Sequence, residues 1–336
     1  MKLIKPPPLK KGNRVGVISP SWCGAGNFPY RLKRGISFLE TLGLNPILGS
    51  YTNSGNGRVA GTPEERARDI NQMFADKKTR GIFVTIGGVY CNEILPFLDF
   101  SLIKKNPKII VGYSDVTSLL LAIYTQTGLI TFYGPMVMTQ MAEYPQVLRH
   151  TLRYLNKALF SPLPLGLIKP SSQWTDERLE WKTKKDLTRA RKLKRGDWNW
   201  LRKGKAEGKL LGGCLNALIR LKGTRFFPDF NKAIFFWEIP EGVKPEYVNI
   251  LLTDLDLAGL FSKISGMIIG RPPQYSKEDL NNFEHIVLER TQYYDFPILA
   301  DAEIGHTDPI LTIPLGARGE LDSKLNLFHI KESGVR

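Results

Sequence analysis

The run Lys108-Ile-Ile-Val-Gly-Tyr-Ser-Asp-Val-Thr117, continued by Ser-Leu-Leu-Leu-Ala-Ile-Tyr-Thr-Gln-Thr127, puts a short apolar stretch, a turn and a helix-forming stretch in direct succession. Residues 108–112 do not alternate between apolar and polar, so they read as a strand buried on both faces, as in a parallel sheet. Residues 115–127 then read as a helix. The same unit recurs on the N-terminal side: strands over 14–19, 45–48 and 81–86, and helices over 30–42, from Thr62-Pro-Glu-Glu65 to about Ala75, and over 93–104. Thr62 offers an N-cap, and Pro63 suits the first helical position. A further strand is expected over 129–132. Strands alternating with helices predict a parallel sheet covered on both faces, with sites beyond the carboxyl ends of the strands. The residues to watch therefore follow Ile18, Ile86 and Gly112.

The chain has 336 residues, more than the roughly 250–300 at which a single core stops growing, so two domains are expected. Composition changes near Ser161: prolines at 162, 164 and 170 precede tryptophans at 174, 181, 198 and 200. We read residues 1–160 as an α/β domain, 161–206 as a linker and basic tryptophan-rich loop, and 207–336 as a mixed α+β domain. The second domain carries expected strands over 233–237 and 265–269 and helices after Gly213 and over 247–258 and 277–290.

No apolar run approaches the roughly 18 residues that cross a bilayer, and prolines 6–8 occupy the place of a signal peptide's apolar core. Cys23, Cys91 and Cys214 are few, odd in number and far apart, which argues against a disulfide framework or a zinc site. A cytoplasmic location is the expectation. The net charge of +15 is concentrated in residues 182–205, where eleven lysines and arginines face only Asp186 and Asp197. Basic residues interleaved with tryptophan are also what single-stranded nucleic-acid binding uses, so that class is carried as an alternative. It lacks a recognisable RNA- or DNA-binding motif. No phosphate-binding glycine fingerprint is present either.

Ser114 lies where a strand turns into a helix, the setting of a nucleophile elbow, with the Asp115 amide placed to receive an oxyanion. The simpler role for Ser114 is a helix N-cap. Gly87 and Gly88 follow the strand 81–86 and let backbone approach a ligand. Among four histidines, His306 alone falls in a loop of turn-forming residues, Glu303-Ile-Gly-His-Thr-Asp-Pro309. Three carboxylates compete to orient it: Glu238 at the end of an apolar strand, Asp301 and Asp308. Cys91 and Cys214 are alternative nucleophiles, although a lone cysteine is more often an apolar filler.

Taken together, TIGG with Asn92, residues 95–135, LLGGCLNAL, the Glu238 strand, LLTDLDLAG and GHTDPILTIPLG resemble the LD-carboxypeptidase family of serine peptidases. That family includes muropeptide LD-carboxypeptidases and microcin C immunity proteins. The resemblance implies a flavodoxin-like N-terminal domain, an active site at the interface with the C-terminal domain, no metal or other cofactor, and a homodimer. It implies Ser114 as nucleophile, His306 as general base and acid, Glu238 as the orienting carboxylate, and Gly88 and Asp115 as backbone oxyanion donors, with Gly87 and Asn92 beside the substrate. Residues 169–181 resemble the immunity-protein branch, in which Trp181 matches a tryptophan that stacks on adenine. The expected substrate is a small anionic peptide-like molecule, in first place an aminoacyl-nucleotide conjugate and in second place a muropeptide tetrapeptide ending in D-alanine. Cys214 stands where many relatives carry asparagine, so a substrate contact is expected to be lost or replaced there. No membrane partner is expected, and the basic segment is expected to favour an anionic substrate.

Overall fold

The four residues Ile109–Gly112 form the middle of a six-stranded sheet in the computed structural model, which describes residues 2–55 and 57–336. Its order is Ile313–Pro314, Phe132–Tyr133, Ile109–Gly112, Thr79–Val84, Arg14–Ile18, Asn45–Leu48. The five N-terminal strands run parallel. The last pair, Ile313–Pro314 on Phe132–Tyr133, is antiparallel and brings C-terminal chain into the N-terminal sheet. The central strands are apolar because both faces are covered: all four residues of Ile109–Gly112 are buried, as are nine of the eleven residues of helix Thr117–Thr127. That helix carries apolar residues all round, as a wholly enclosed helix must.

Local chemistry sets the element ends. Thr62 accepts from the Glu65 amide while Glu65 reaches back, a reciprocal cap on helix Pro63–Ala75. Ser276 and Asp279 do the same for helix Lys277–Arg290. The helix expected over 93–104 is two pieces, a 3₁₀ stretch Cys91–Phe97 and the short helix Phe100–Lys105. Pro96 lies inside the first, and the Asp99 carboxylate caps the second through the Leu102 amide at 2.8 Å. The strand expected over 129–132 is instead the two-residue Phe132–Tyr133, which overlaps it only at Phe132.

The second sheet has eight strands in the order Gly166–Ile168, Leu327–Ile330, Arg318–Asp322, Lys205–Cys214, Ala233–Glu238, Gly266–Gly270, Ile298–Ala302, Asn199–Arg202. Its four central strands are parallel and its flanks antiparallel. Both outermost strands come from residues 161–206, so the segment read as a linker closes the two edges of this sheet. Those strands are only three and four residues long, and their partners lie far off in sequence, which is why composition alone presented them as loop.

The basic stretch is tied down by buried charge. Asp186, buried, takes Arg31 at 2.6 Å, the Tyr30 hydroxyl at 2.7 Å and Arg34 at 3.3 Å. Arg191 lies between Glu143 and Asp308, at 2.8 Å from each. Lys194 pairs with Asp176, Lys205 with Asp322, and Arg189 makes two bonds to Glu177. Arg202 donates to the carbonyls of Thr291, Tyr294 and Phe296. Much of the local positive charge is therefore spent in holding the segment to both halves of the molecule. Replacing Arg191 with methionine leaves two buried carboxylates facing each other, and we expect it to lower unfolding free energy by about 3–5 kcal/mol. Urea unfolding of the variant beside wild type measures this; an unchanged midpoint would mean that the ion triad holds nothing.

Candidate active site

The strand Ile109–Gly112 ends in a sharp turn that puts Ser114 at φ 64°, in the left-handed region. For a non-glycine residue that conformation costs about 1–3 kcal/mol and persists only where the surroundings hold it. Here they do. A side chain at Gly112 would meet Val116 at 2.9 Å, and one at Gly87 would meet the Ser114 Oγ at the same distance. The turn is closed by the 3₁₀ stretch Ser114–Val116, which leads into helix Thr117–Thr127.

From the other half of the chain, strand Ala233–Glu238 ends with the Glu238 carboxylate fully buried. A buried carboxylate must find donors. Its Oε1 accepts from the Tyr133 hydroxyl at 2.8 Å, and its Oε2 lies 2.6 Å from His306 Nδ1. Because the carboxylate is an acceptor, Nδ1 donates, and Nε2 is left to accept from the Ser114 hydroxyl at 3.0 Å. Glycine is required at 305: its φ is 98°, and an added Cβ would stand 2.4 Å from Glu238 Cγ. Tyr113 packs edge-on to the imidazole at 5.1 Å. Of the rival carboxylates, Asp308 is taken by Arg191 at 2.8 Å, and Asp301 faces Arg271 at 3.7 Å.

Ser114 and His306 open into a cavity of about 490 Å³ whose walls include Trp22, Gly87, Gly88, Arg178 and Trp181. Trp181 has Arg31 over its ring at 4.3 Å and the edge of Phe28 at 5.4 Å, so it anchors its loop on the N-terminal half while lining the cavity. Arg178 is the cation of the cavity, paired with Glu241 and donating to the His306 carbonyl at 3.1 Å. None of residues 182–205 lines this cavity, which corrects the expectation that the basic segment faces the substrate. The other tryptophans are occupied as well: Trp174 carries Lys194 and Arg271 on its ring, Trp198 donates to Glu303, and Trp200 to Asn326. They do not form a row of free faces for bases.

Two expected substrate contacts lie apart from the cavity lining. Asn92 is part of the 3₁₀ stretch Cys91–Phe97, and Cys214 is enclosed behind the site, its backbone in register with Glu238 and its amide donating to Thr117 Oγ1 at 3.0 Å. Residues missed by sequence reasoning were Trp22, Arg178, Tyr133 and Gln274. Trp22 follows the first strand, where the carboxyl-end rule already pointed. Gln274 follows strand Gly266–Gly270 in the same way. Tyr133 carried no signal, since its partner is 105 residues away.

Sequence profiles of the LD-carboxypeptidase N-terminal and C-terminal domains match residues 15–134 and 207–321. The chain belongs to the LD-carboxypeptidase family. It is an enzyme of the serine-peptidase class. A putative carboxypeptidase of Vibrio cholerae is 32% identical over 98% of this chain and 98% of its own length. The microcin C7 self-immunity protein of Escherichia coli is 34% identical over 94% of this chain and 92% of its own. A structure of the microcin C7 self-immunity protein in complex with aspartyl sulfamoyl adenosine superimposes with a TM-score of 0.93 at 31% identity, covering 99% of this chain and 100% of that one. Another, in complex with glutamyl sulfamoyl guanosine, gives 0.92 at 31% identity and 99% coverage of both. Two-domain α/β architecture with the site between the two sheets is thus common to the LD-carboxypeptidase fold and this chain. Among the described residues, no helix is long and apolar enough to cross a membrane, and no group of three or more His, Cys, Asp or Glu could hold a metal ion.

Burial pushes the thiols of Cys91 and Cys214 well above the usual range, and the charges of Asp115 and Glu238 respectively add to it. Both are therefore neutral thiols at pH 8 and poor nucleophiles. We expect iodoacetamide at pH 8 to leave both unmodified, with activity intact, until the protein is denatured. Mass spectrometry of alkylated peptides reads the outcome, and rapid labelling of Cys214 in the native state would contradict it.

Proposed function

We propose that the enzyme hydrolyses the amide of an aminoacyl-nucleotide conjugate through Ser114, His306 and Glu238. The observation that carries this reading is the unbroken hydrogen-bonded line from Glu238 through His306 to Ser114, opening into a cavity walled by an indole. Ser114 Oγ attacks the amide carbonyl carbon as His306 Nε2 takes its proton. The carbonyl electron pair moves to oxygen, which the amides of Gly88 and Asp115 hold in the tetrahedral intermediate. His306 returns the proton to the leaving nitrogen as the C–N bond breaks. Water, deprotonated by His306, then attacks the acyl-enzyme carbonyl, and as the bond to Ser114 Oγ breaks His306 returns the proton to that oxygen, freeing the acyl group as a carboxylic acid. Glu238 keeps the imidazole in the productive tautomer and stabilises its charged form without leaving the carboxylate state.

Trp181 supports a nucleotide as the leaving part, because an indole face contributes roughly 1–3 kcal/mol per stacked base. Structures of the microcin C7 self-immunity protein bound to aspartyl sulfamoyl adenosine and to glutamyl sulfamoyl guanosine support the same class. A second reading, removal of terminal D-alanine from a muropeptide, is favoured by Arg178, whose cation stands in the cavity where a terminal carboxylate could pair. A homodimer belongs to the proposal through the family resemblance, and sedimentation equilibrium tests it.

Ser114→Ala and His306→Ala should each lower kcat by about 10⁴–10⁶-fold. Full activity in either variant would refute the assignment. The substrate is decided by assaying an aminoacyl-sulfamoyl or phosphoramidate nucleotide beside an L,D-tetrapeptide. With Trp181→Ala we expect kcat/KM to fall about 5- to 100-fold on the nucleotide, carried mainly by KM, and to change little on the peptide. Equal loss on both, or none, removes the stacking role.

A further inference from the structure

The residue after the proposed nucleophile has a side chain that the mechanism above leaves idle. Asp115 is a carboxylate at 4% exposure, and burying it is costly unless it organises something. Its Oδ2 accepts from the Ser21 hydroxyl at 2.6 Å and from the amides of Tyr90 at 3.1 Å and Cys91 at 3.2 Å. The Tyr90 amide is shared with Ser21 Oγ, also at 3.1 Å. These bonds fall on the far side of the glycine turn from the strand Thr79–Val84. Also on the far side, Arg220 from the C-terminal half donates to the Val89 carbonyl at 2.8 Å, and on the near side the Trp22 amide donates to the Gly87 carbonyl at 3.3 Å. Gly88 sits between these anchors at φ 158°, where an added Cβ would come within 2.4 Å of Ser21 Oγ. The Gly88 peptide is thus gripped from both sides. Burial raises the Asp115 pKa, and the Ser21 hydroxyl and the two amides draw it back toward the carboxylate form.

We propose that Asp115 is a positioning residue: its side chain, with Ser21, holds the Gly87–Cys91 turn so that the Gly88 amide and the Asp115 amide stay aimed at one point beside Ser114. One residue then supplies one oxyanion donor through its backbone and sets the other through its carboxylate. This rests on the serine-nucleophile reading. The expected consequence belongs to the transition state. A turn that drifts by a fraction of an ångström weakens binding of the developing oxyanion while the substrate's ground-state contacts, at Trp181 and Arg178, are untouched.

Asp115→Asn keeps the shape, removes the charge that strengthens the three bonds to Oδ2, and puts an amide NH₂ at Oδ1, which has no partner of its own among the described residues. We expect kcat to fall about 10²-fold or more, as for loss of an oxyanion donor, with KM within about three-fold of wild type. Affinity for a boronic acid analogue of the acyl group, which forms a tetrahedral adduct with a serine oxygen, should fall by the same factor as kcat/KM. Affinity for a non-hydrolysable aminoacyl-sulfamoyl nucleoside should not change. Ser21→Ala should show the same split at about 10-fold, since one of three donors is lost. If Asp115→Asn does not fold, Ser21→Ala alone decides. A rise in KM at constant kcat, or an unchanged boronate affinity beside a lowered kcat, overturns the proposal in either variant. Full activity of Ser114→Ala, by contrast, would refute the nucleophile and not the positioning of the turn.

Discussion

The hydrogen bond between Glu238 and His306, 2.6 Å long and shielded from water, sets the requirements that much of the molecule meets. A carboxylate can stay ionised in such a place only if both oxygens have donors. Tyr133 supplies the second, and Tyr133 belongs to the N-terminal sheet while Glu238 ends a strand of the C-terminal one. Pulling the two sheets apart therefore takes from Glu238 one of its two hydrogen-bond partners. The pair of strands Ile313–Pro314 and Phe132–Tyr133 reinforces the same joint, because it brings chain just after His306 into register beside Tyr133.

Glycines cluster round this joint for a steric reason. At 305 and 270 a Cβ would run into Glu238, and at 87 into Ser114. Backbone comes close enough to Glu238 and Ser114 only where there is no side chain, so their hydrogen-bonded line is enclosed by main chain and opens toward Trp22, Trp181 and Arg178. Loop segment 161–206 forms that open side. Its buried charges, Asp186 under Arg31 and Arg191 between Glu143 and Asp308, make it a docked wall. Asp308 lies two residues from His306, so the clasp that holds this wall also steadies the histidine loop.

Much of the fold could be read from the chain because the signals are local. Residues 108–127 announce a buried strand, a turn and an enclosed helix through apolar runs and turn residues, and the structure has them at Ile109–Gly112, Ser114–Val116 and Thr117–Thr127. The reading failed where the deciding partner is remote. Pro96 and Asp99 broke a helix that periodicity alone would continue, and the edge strands Gly166–Ile168 and Asn199–Arg202 looked like loop because only distant chain makes them strands. The basic segment misled for the same reason: a count of lysines and arginines does not reveal which carboxylates they meet.

By itself the sequence determined the main alternation of strands and helices in the N-terminal half, the strand-to-helix turn at Ser114, the paired glycines and the histidine-bearing loop, since each depends on neighbours within a few positions. Residue spacing left Glu238, Asp301 and Asp308 as rivals for His306; the family resemblance pointed to Glu238, and the tertiary structure brings that residue to His306 across 68 positions of chain. It likewise decided that Trp181 and Arg178 line the cavity while Cys214 stands behind it. Backbone conformation is set largely by adjacent residues, whereas the hydrogen-bonded line from Glu238 through His306 to Ser114 joins side chains that meet only once two sheets have packed.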